Sequence, residues 1–330
     1  MSYALLALSF ALLLGGAVVF TNAVEWAGHR LQLGTGAVGS ILAAVATALP
    51  ESVIPMIAII SGDGSGEVAI GSILGAPFLL ATLAMLLVGV SARGFAGRRD
   101  QDERIEVHRR TTSRDLAVFL VVLSLGLGLG LVDVPAVKVG GAILLVVAYG
   151  LYVWRSLRAG GETQDEAGLS PLYLDPSKND PPRGWQVAGQ AVLSIAAIVG
   201  GAHLFVTEVE HIAATLGVPA LLLALVLAPL ATELPEKVNS LLWVRQGKDS
   251  LAFGNITGAM VFQSMIPVAV GLAFTPWSLD GYGFAAGGCA LAGGAIALWA
   301  VRRRQRFSAP AMAGWAVLYG GFVVGVGLSV

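Results

Sequence analysis

Ten stretches of this chain contain no Asp, Glu, Lys or Arg: 1–24, 31–50, 68–92, 116–132, 139–154, 184–207, 212–232, 251–279, 281–301 and 307–330. About 20 apolar residues are enough for a helix to cross the hydrocarbon of a bilayer. Most of the ten reach that length, and the fourth and fifth must borrow flanking residues or lie within a thinner part of the protein. A soluble chain of 330 residues could not hide so much apolar surface: 56% of it is hydrophobic, 12% is charged and the mean hydropathy is +0.78. The expected fold is an all-α membrane protein with ten transmembrane helices.

The net charge of −1 gives no reason to expect nucleic acid as a partner, and the lipid bilayer is the first partner implied. The placement of the basic residues predicts orientation. If the N-terminus is outside, the connections after the odd-numbered spans are cytoplasmic and hold 18 of the 20 Lys and Arg, the exceptions being Lys138 and Lys237, the latter counted within the span that carries the second acidic motif. Both termini then face outside and the long loops face the cytoplasm, in a cell inner or plasma membrane. The first segment reads as a retained helix, since no basic n-region or small-residue cleavage site marks a signal peptide. Cys289 is the single cysteine, which excludes an intrachain disulfide.

One long polar stretch, with Gly160-Gly161, Glu162, Asp165, Glu166 and prolines 171, 176, 181 and 182, divides the spans into five and five. Because five is odd, the second half enters the membrane in the opposite sense. The expected plan is one integral membrane domain of two inverted-topology five-helix repeats, 1–157 and 184–330, joined by a cytoplasmic linker at 158–183. Three matches in the same order support a duplication: Val24-Glu25 with Val209-Glu210, Thr47–Glu51 with Thr232–Glu236, and Gly71-Ser72-Ile73-Leu74-Gly75-Ala76 with Gly254-Asn255-Ile256-Thr257-Gly258-Ala259.

The second match carries the chemistry. Ala46-Thr47-Ala48-Leu49-Pro50-Glu51 recurs as Ala231-Thr232-Glu233-Leu234-Pro235-Glu236, so a carboxylate appears twice in equivalent apolar settings. Charge inside a membrane costs several kcal/mol unless paired, hydrated or neutralised, so its retention points to function. Pro50 and Pro235 have no N–H, which predicts broken helices with freed carbonyls at Ala46 and Ala231. Thr47 and Thr232 sit four residues before Glu51 and Glu236, on the same helix face. Carboxylates, hydroxyls and carbonyls are hard oxygen donors, suited to Ca²⁺ or Na⁺. Inorganic cations, as transported substrates with no cofactor, are therefore the expected ligands. The glycines at 71, 75, 254 and 258 should let the third and eighth helices approach the acidic ones closely.

On these motifs the chain resembles the calcium/cation antiporter superfamily, which includes the sodium/calcium and proton/calcium exchangers. In that family each half carries a motif close to Gly-Thr-Ser-Leu-Pro-Glu, followed by a helix reading like Gly-Asn-x-x-Gly-Ser-Asn. The resemblance covers both halves. It implies that Glu51 and Glu236 are cation ligands with Thr47 and Thr232, and it places the family's first asparagine at Ser72 and Asn255. Several family donors are replaced: the serine before Leu-Pro-Glu is Ala48 and Glu233, the serine after the second glycine is Ala76 and Ala259, and the last acidic or amide position is Leu80 and Gln263.

The candidate site is therefore Glu51, Glu236, Thr47, Thr232, Glu233, Gln263, Asn255 and Ser72 with the carbonyls of Ala46 and Ala231. Two arrangements are open for Glu233: an ion pair with Lys237, four residues on, that replaces a bound cation, or a free carboxylate with Lys237 turned to an aqueous vestibule. The hydroxyls of Thr47 and Thr232 have back-bonding to their own helix as a competing role, and Gln263 and Asn255 have interhelical glue as theirs. Glu25, Glu208, Glu210, His203 and His211, at span ends, are expected to be solvated. The implied function is a secondary antiporter, not an enzyme, exchanging Ca²⁺ for Na⁺ or H⁺ by alternating access. A monovalent Na⁺ or K⁺/H⁺ exchanger on the same fold and a non-transporting sensor or scaffold are the alternatives. The sequence leaves the oligomeric state open, a monomer included.

Overall fold

The structure is a computed structural model that describes residues 2–30, 51–62, 66–95, 107–158, 170–175, 181–303 and 307–328, without the side chains of residues 157, 234–236 and 238–239. Within them the chain is helical, with no strand. In order the helices are α1 (Ser2–Arg30), α2 (Glu51–Ser61), α3 (Gly66–Leu79), α4 (Met85–Gly94), α5 (Arg109–Leu129), α6 (Pro135–Arg158), α7 (Gly184–Leu216), α8 (Ala220–Arg245), α9 (Asp249–Phe274), α10 (Gly281–Arg303) and α11 (Ala309–Leu328). One π-helical segment, Leu80–Ala84, joins α3 to α4 as a single 29-residue rod, Gly66–Gly94. Eight helices of the described residues are long and apolar enough to cross a membrane. The apolar parts of the other two, Glu51–Ser61 and Ala220–Glu233, are shorter.

Burial follows composition. α3 is apolar all round and every residue from Val68 to Leu79 is buried, the pattern of a helix surrounded by others. α6 and α11 expose Ile143, Leu144, Val147, Val317 and Val324, which suits a rim facing lipid. α5 and α6 are longer than the uncharged runs within them, because α5 begins at Arg109 and α6 ends at Arg158. The borrowed residues are polar, and they extend both helices to spanning length.

Three packing relations position the centre. α1 lies antiparallel along α7: Gln190 Nε2 donates to Asn22 Oδ1 at 2.9 Å, and Gly16 and Gly201 seat Ile198 and Leu13. α3 runs beside α8, with Gly71 and Gly75 against the carbonyls of Leu221 and Leu225. α9 packs on α3, α5, α6 and α8, and α10 packs on α5 and on the rod formed by α3 and α4. Trp277, in the α9–α10 turn, is fully buried and donates from Nε1 to Gly126 O at 2.9 Å, fastening that turn to α5.

Candidate cation site

α8 was expected to break at Pro235. Instead it continues as one helix from Ala220 to Arg245. A proline removes one N–H from the ladder, and neighbouring helices can hold the rest in place. The backbone donor to Ala231 is thus lost inside an intact helix, and Ala231 is fully buried. Thr232 and Glu233 stand halfway along α8, Gln263 stands near the middle of α9, and the π segment stands at the middle of the α3–α4 rod.

Glu233 is fully buried, and both of its oxygens are engaged. Oε1 accepts from Gln263 Nε2 across the α8–α9 contact. Oε2 meets Lys237 Nζ at 2.8 Å, one turn along the same helix, and the Lys237 side chain is only 4% exposed. Of the two arrangements open to the sequence, the structure adopts the ion pair. Gln263 is buried, and its Oε1 has no hydrogen-bond partner among the described residues.

Thr232 is buried and donates from Oγ1 to Ala228 O at 3.2 Å, the back-bonding geometry. That bond uses the hydroxyl proton and leaves lone pairs for another ligand. Ser72 is buried on α3 with its Oγ unpartnered among the described residues. Asn255 is half-buried on α9, and Glu51 is half-buried as the first residue of α2. Thr47 and Ala46 lie outside the described residues, as does the side chain of Glu236. The described residues thus bring Glu233, Lys237 and Gln263 into contact. Leu80, where the family carries a polar residue, opens the π segment and is fully buried.

Two carboxylates behave otherwise than the sequence suggests. Glu208 is 7% exposed, not solvated, because it falls on the α7 face that buries Phe205 and Ile212. Asp115 was not singled out, yet it links α5 to α9: Oδ1 accepts from Arg114 at 3.1 Å, and Oδ2 accepts from Thr257 Oγ1 at 3.4 Å. Its spacing with Thr112 and Phe119 on the buried face of α5 was the available signal.

The sequence model of the family described as sodium/calcium exchanger protein matches residues 1–158 and 187–327. The chain belongs to this family. Its members are transporters of inorganic cations, not enzymes, and the protein is an integral membrane protein. The chain is 26% identical over 276 residues to CaxA of Alkalimonas amylolytica, a relative named as an antiporter, across 82% of this chain and 79% of CaxA. Its fold is similar to the crystal structure of the H⁺/Ca²⁺ exchanger CAX, with a TM-score of 0.72 and 20% identity over 98% of this chain and 81% of that one. It is also similar to the sodium-calcium exchanger NCX_Mj, with a TM-score of 0.60 and 16% identity over 98% of each chain.

Proposed function

We propose that this exchanger is a secondary antiporter of ten spanning helices in two inverted repeats, 1–157 and 184–330, with 158–183 as a cytoplasmic linker. It carries a cation, Ca²⁺ first, against Na⁺ or H⁺, through a site on Glu51 and Glu236 near the bilayer midplane. Thr47, Thr232, Ser72, Asn255, Gln263 and the carbonyls of Ala46 and Ala231 are the remaining donors. The observation that carries this reading is the buried cluster of acid, amide and hydroxyl groups halfway along α8 and α9, where lipid offers charge no stabilisation.

The packing supports the repeat. Exchanging the halves leaves the pattern of neighbours similar: α1 meets α7, α5 meets α10, and α9 rests on α5 and α6 as the α3–α4 rod rests on α10 and α11. Arginines at the ends of α1, α4, α6, α8 and α10 and at the starts of α5 and α7 favour one cytoplasmic side. Arg30 also donates to Pro182 O at 2.6 Å, joining the end of α1 to the stretch before α7.

Exchange follows from electrostatics. The glutamates must be neutralised for the site to pass from one side to the other, and a divalent metal, sodium ions or protons can each do so, one at a time. Purified protein in liposomes, with Ca²⁺, Na⁺, K⁺ and pH gradients varied singly, tests the reading. Glu51→Gln and Glu236→Gln should each abolish exchange while the protein stays monodisperse. Near wild-type flux in either variant overturns the shared site.

A further inference from the structure

The second acidic motif carries one carboxylate more than the first, since Glu233 stands where the first motif has Ala48. A cation ligand must turn oxygen lone pairs toward the ion. Glu233 does the reverse: Gln263 Nε2 donates to Oε1, and the Lys237 ammonium forms an ion pair with Oε2 at 2.8 Å without hydrogen-bond geometry, so one oxygen answers a donor and the other a positive charge. The group is fully buried with a lysine that is nearly so, and charge at this depth persists only when answered nearby. The spacing is also the helix-neighbour spacing of four residues, so the ammonium is held by the same backbone as the carboxylate it neutralises.

We infer that Lys237 is a tethered counter-cation of the transport site: it takes the place of one bound cation on Glu233, so Glu233 orients Gln263 and is not itself a ligand of the transported ion. This rests on the antiport reading above. The Glu233 hydrogen bond fixes the Gln263 amide and leaves Gln263 Oε1 as a buried acceptor with no hydrogen-bond partner among the described residues. The number of ions moved per cycle is then set by Glu51 and Glu236 alone, although three carboxylates belong to the two motifs.

The test is a double-mutant cycle on the full chain in liposomes, reading apparent Ca²⁺ affinity from the concentration dependence of uptake and charge per cycle from the reversal potential. Glu233→Gln removes the carboxylate paired with the ammonium, leaves a positive charge beside the site that Glu233 no longer offsets, and should weaken apparent Ca²⁺ affinity at least tenfold. Lys237→Met frees the carboxylate and should shift the charge moved per cycle by one. The double variant, with neither charge, should return to within threefold of wild type in affinity and to wild-type charge per cycle. A double variant as weak as Glu233→Gln means that Glu233 binds the ion directly, and three variants all within threefold of wild type with unchanged charge mean that the pair only packs the helix. Either result overturns the inference while leaving antiport intact. If a single variant does not purify as a monodisperse protein, the double variant decides alone: affinity within threefold supports the inference, and a loss above tenfold ends it. A wild-type protein that exchanges nothing, with Glu51→Gln indistinguishable from it, removes the antiport reading and this inference together.

Discussion

The Thr232 hydroxyl separates a structural role from a binding one. Its proton goes to Ala228 O, so the oxygen's free lone pairs are oriented by the helix itself. Thr232→Ser keeps both features and should leave apparent affinity within threefold. Thr232→Val keeps the shape and removes the oxygen, so affinity should fall about tenfold, the scale of one lost polar contact, with thermal stability nearly unchanged. Equal affinities for the two variants would make the hydroxyl purely a helix bond. Sequence spacing showed which side chains share a turn, and that was enough to pose the Glu233–Lys237 pair as one of two options. The choice between them was not readable, because Gln263 reaches Glu233 only through the packing of α9 on α8. Glu208 and Asp115 escaped for the same reason: each looks like an interfacial charge until a neighbouring helix covers it.

Among the elements, the contact of α3 with α8 was the most readable. Gly71 and Gly75 were expected to permit close approach, and a methyl at either would fall well inside contact distance of a carbonyl oxygen on α8. Backbone cannot yield as a flexible side chain does, so Gly75→Ala should cost roughly 1–3 kcal/mol and lower the melting temperature by a few degrees. Gly150→Ala, on an exposed part of α6 with open space around it, should be neutral or slightly stabilising. Thermal unfolding in detergent compares the two, and equal shifts would deny α3 and α8 a rigid contact. Other features of the elements were hidden. Pro235 suggested a break that the surrounding helices prevent, and the short uncharged runs left α5 and α6 two options, of which both helices take the polar flanking residues of their first and last turns. Nothing in the local sequence announces the π segment, which is set where α10 presses Gly293 against Ala81.

For the whole molecule, orientation is the property most open to test. In a Cys289→Ala background, Asp280→Cys in the α9–α10 turn should react with a membrane-impermeant thiol reagent from outside, and Arg303→Cys at the end of α10 should not. The reverse pattern would invert the topology. Proton coupling is tested on the same scale: a pH gradient alone should drive Ca²⁺ uptake in sodium-free liposomes, as expected for a site that lacks oxygen donors at Ala76, Leu80 and Ala259. Strict dependence on sodium with no response to pH would exclude it. Membrane class and helix order could be read from charge-free runs because lipid imposes a coarse rule on every span. Neighbour relations between distant helices could not, since any apolar face satisfies lipid equally well.

The pairing of α1 with α7 also bears on how the chain is made. Asn22 obtains its partners from Gln190 and from the carbonyls of Ser170 and Pro171, all far along the sequence. At roughly 5–20 residues per second, translation reaches the end of α7 on the order of ten seconds or more after α1 is complete. During that interval the amide of Asn22 has only water, lipid headgroups or the insertion machinery to bond. A fragment ending at residue 165 should therefore be degraded when made alone and rescued when 166–330 is made beside it, as read by membrane abundance. The polar contacts of α1 are completed only when α7, a helix from the far half of the chain, arrives.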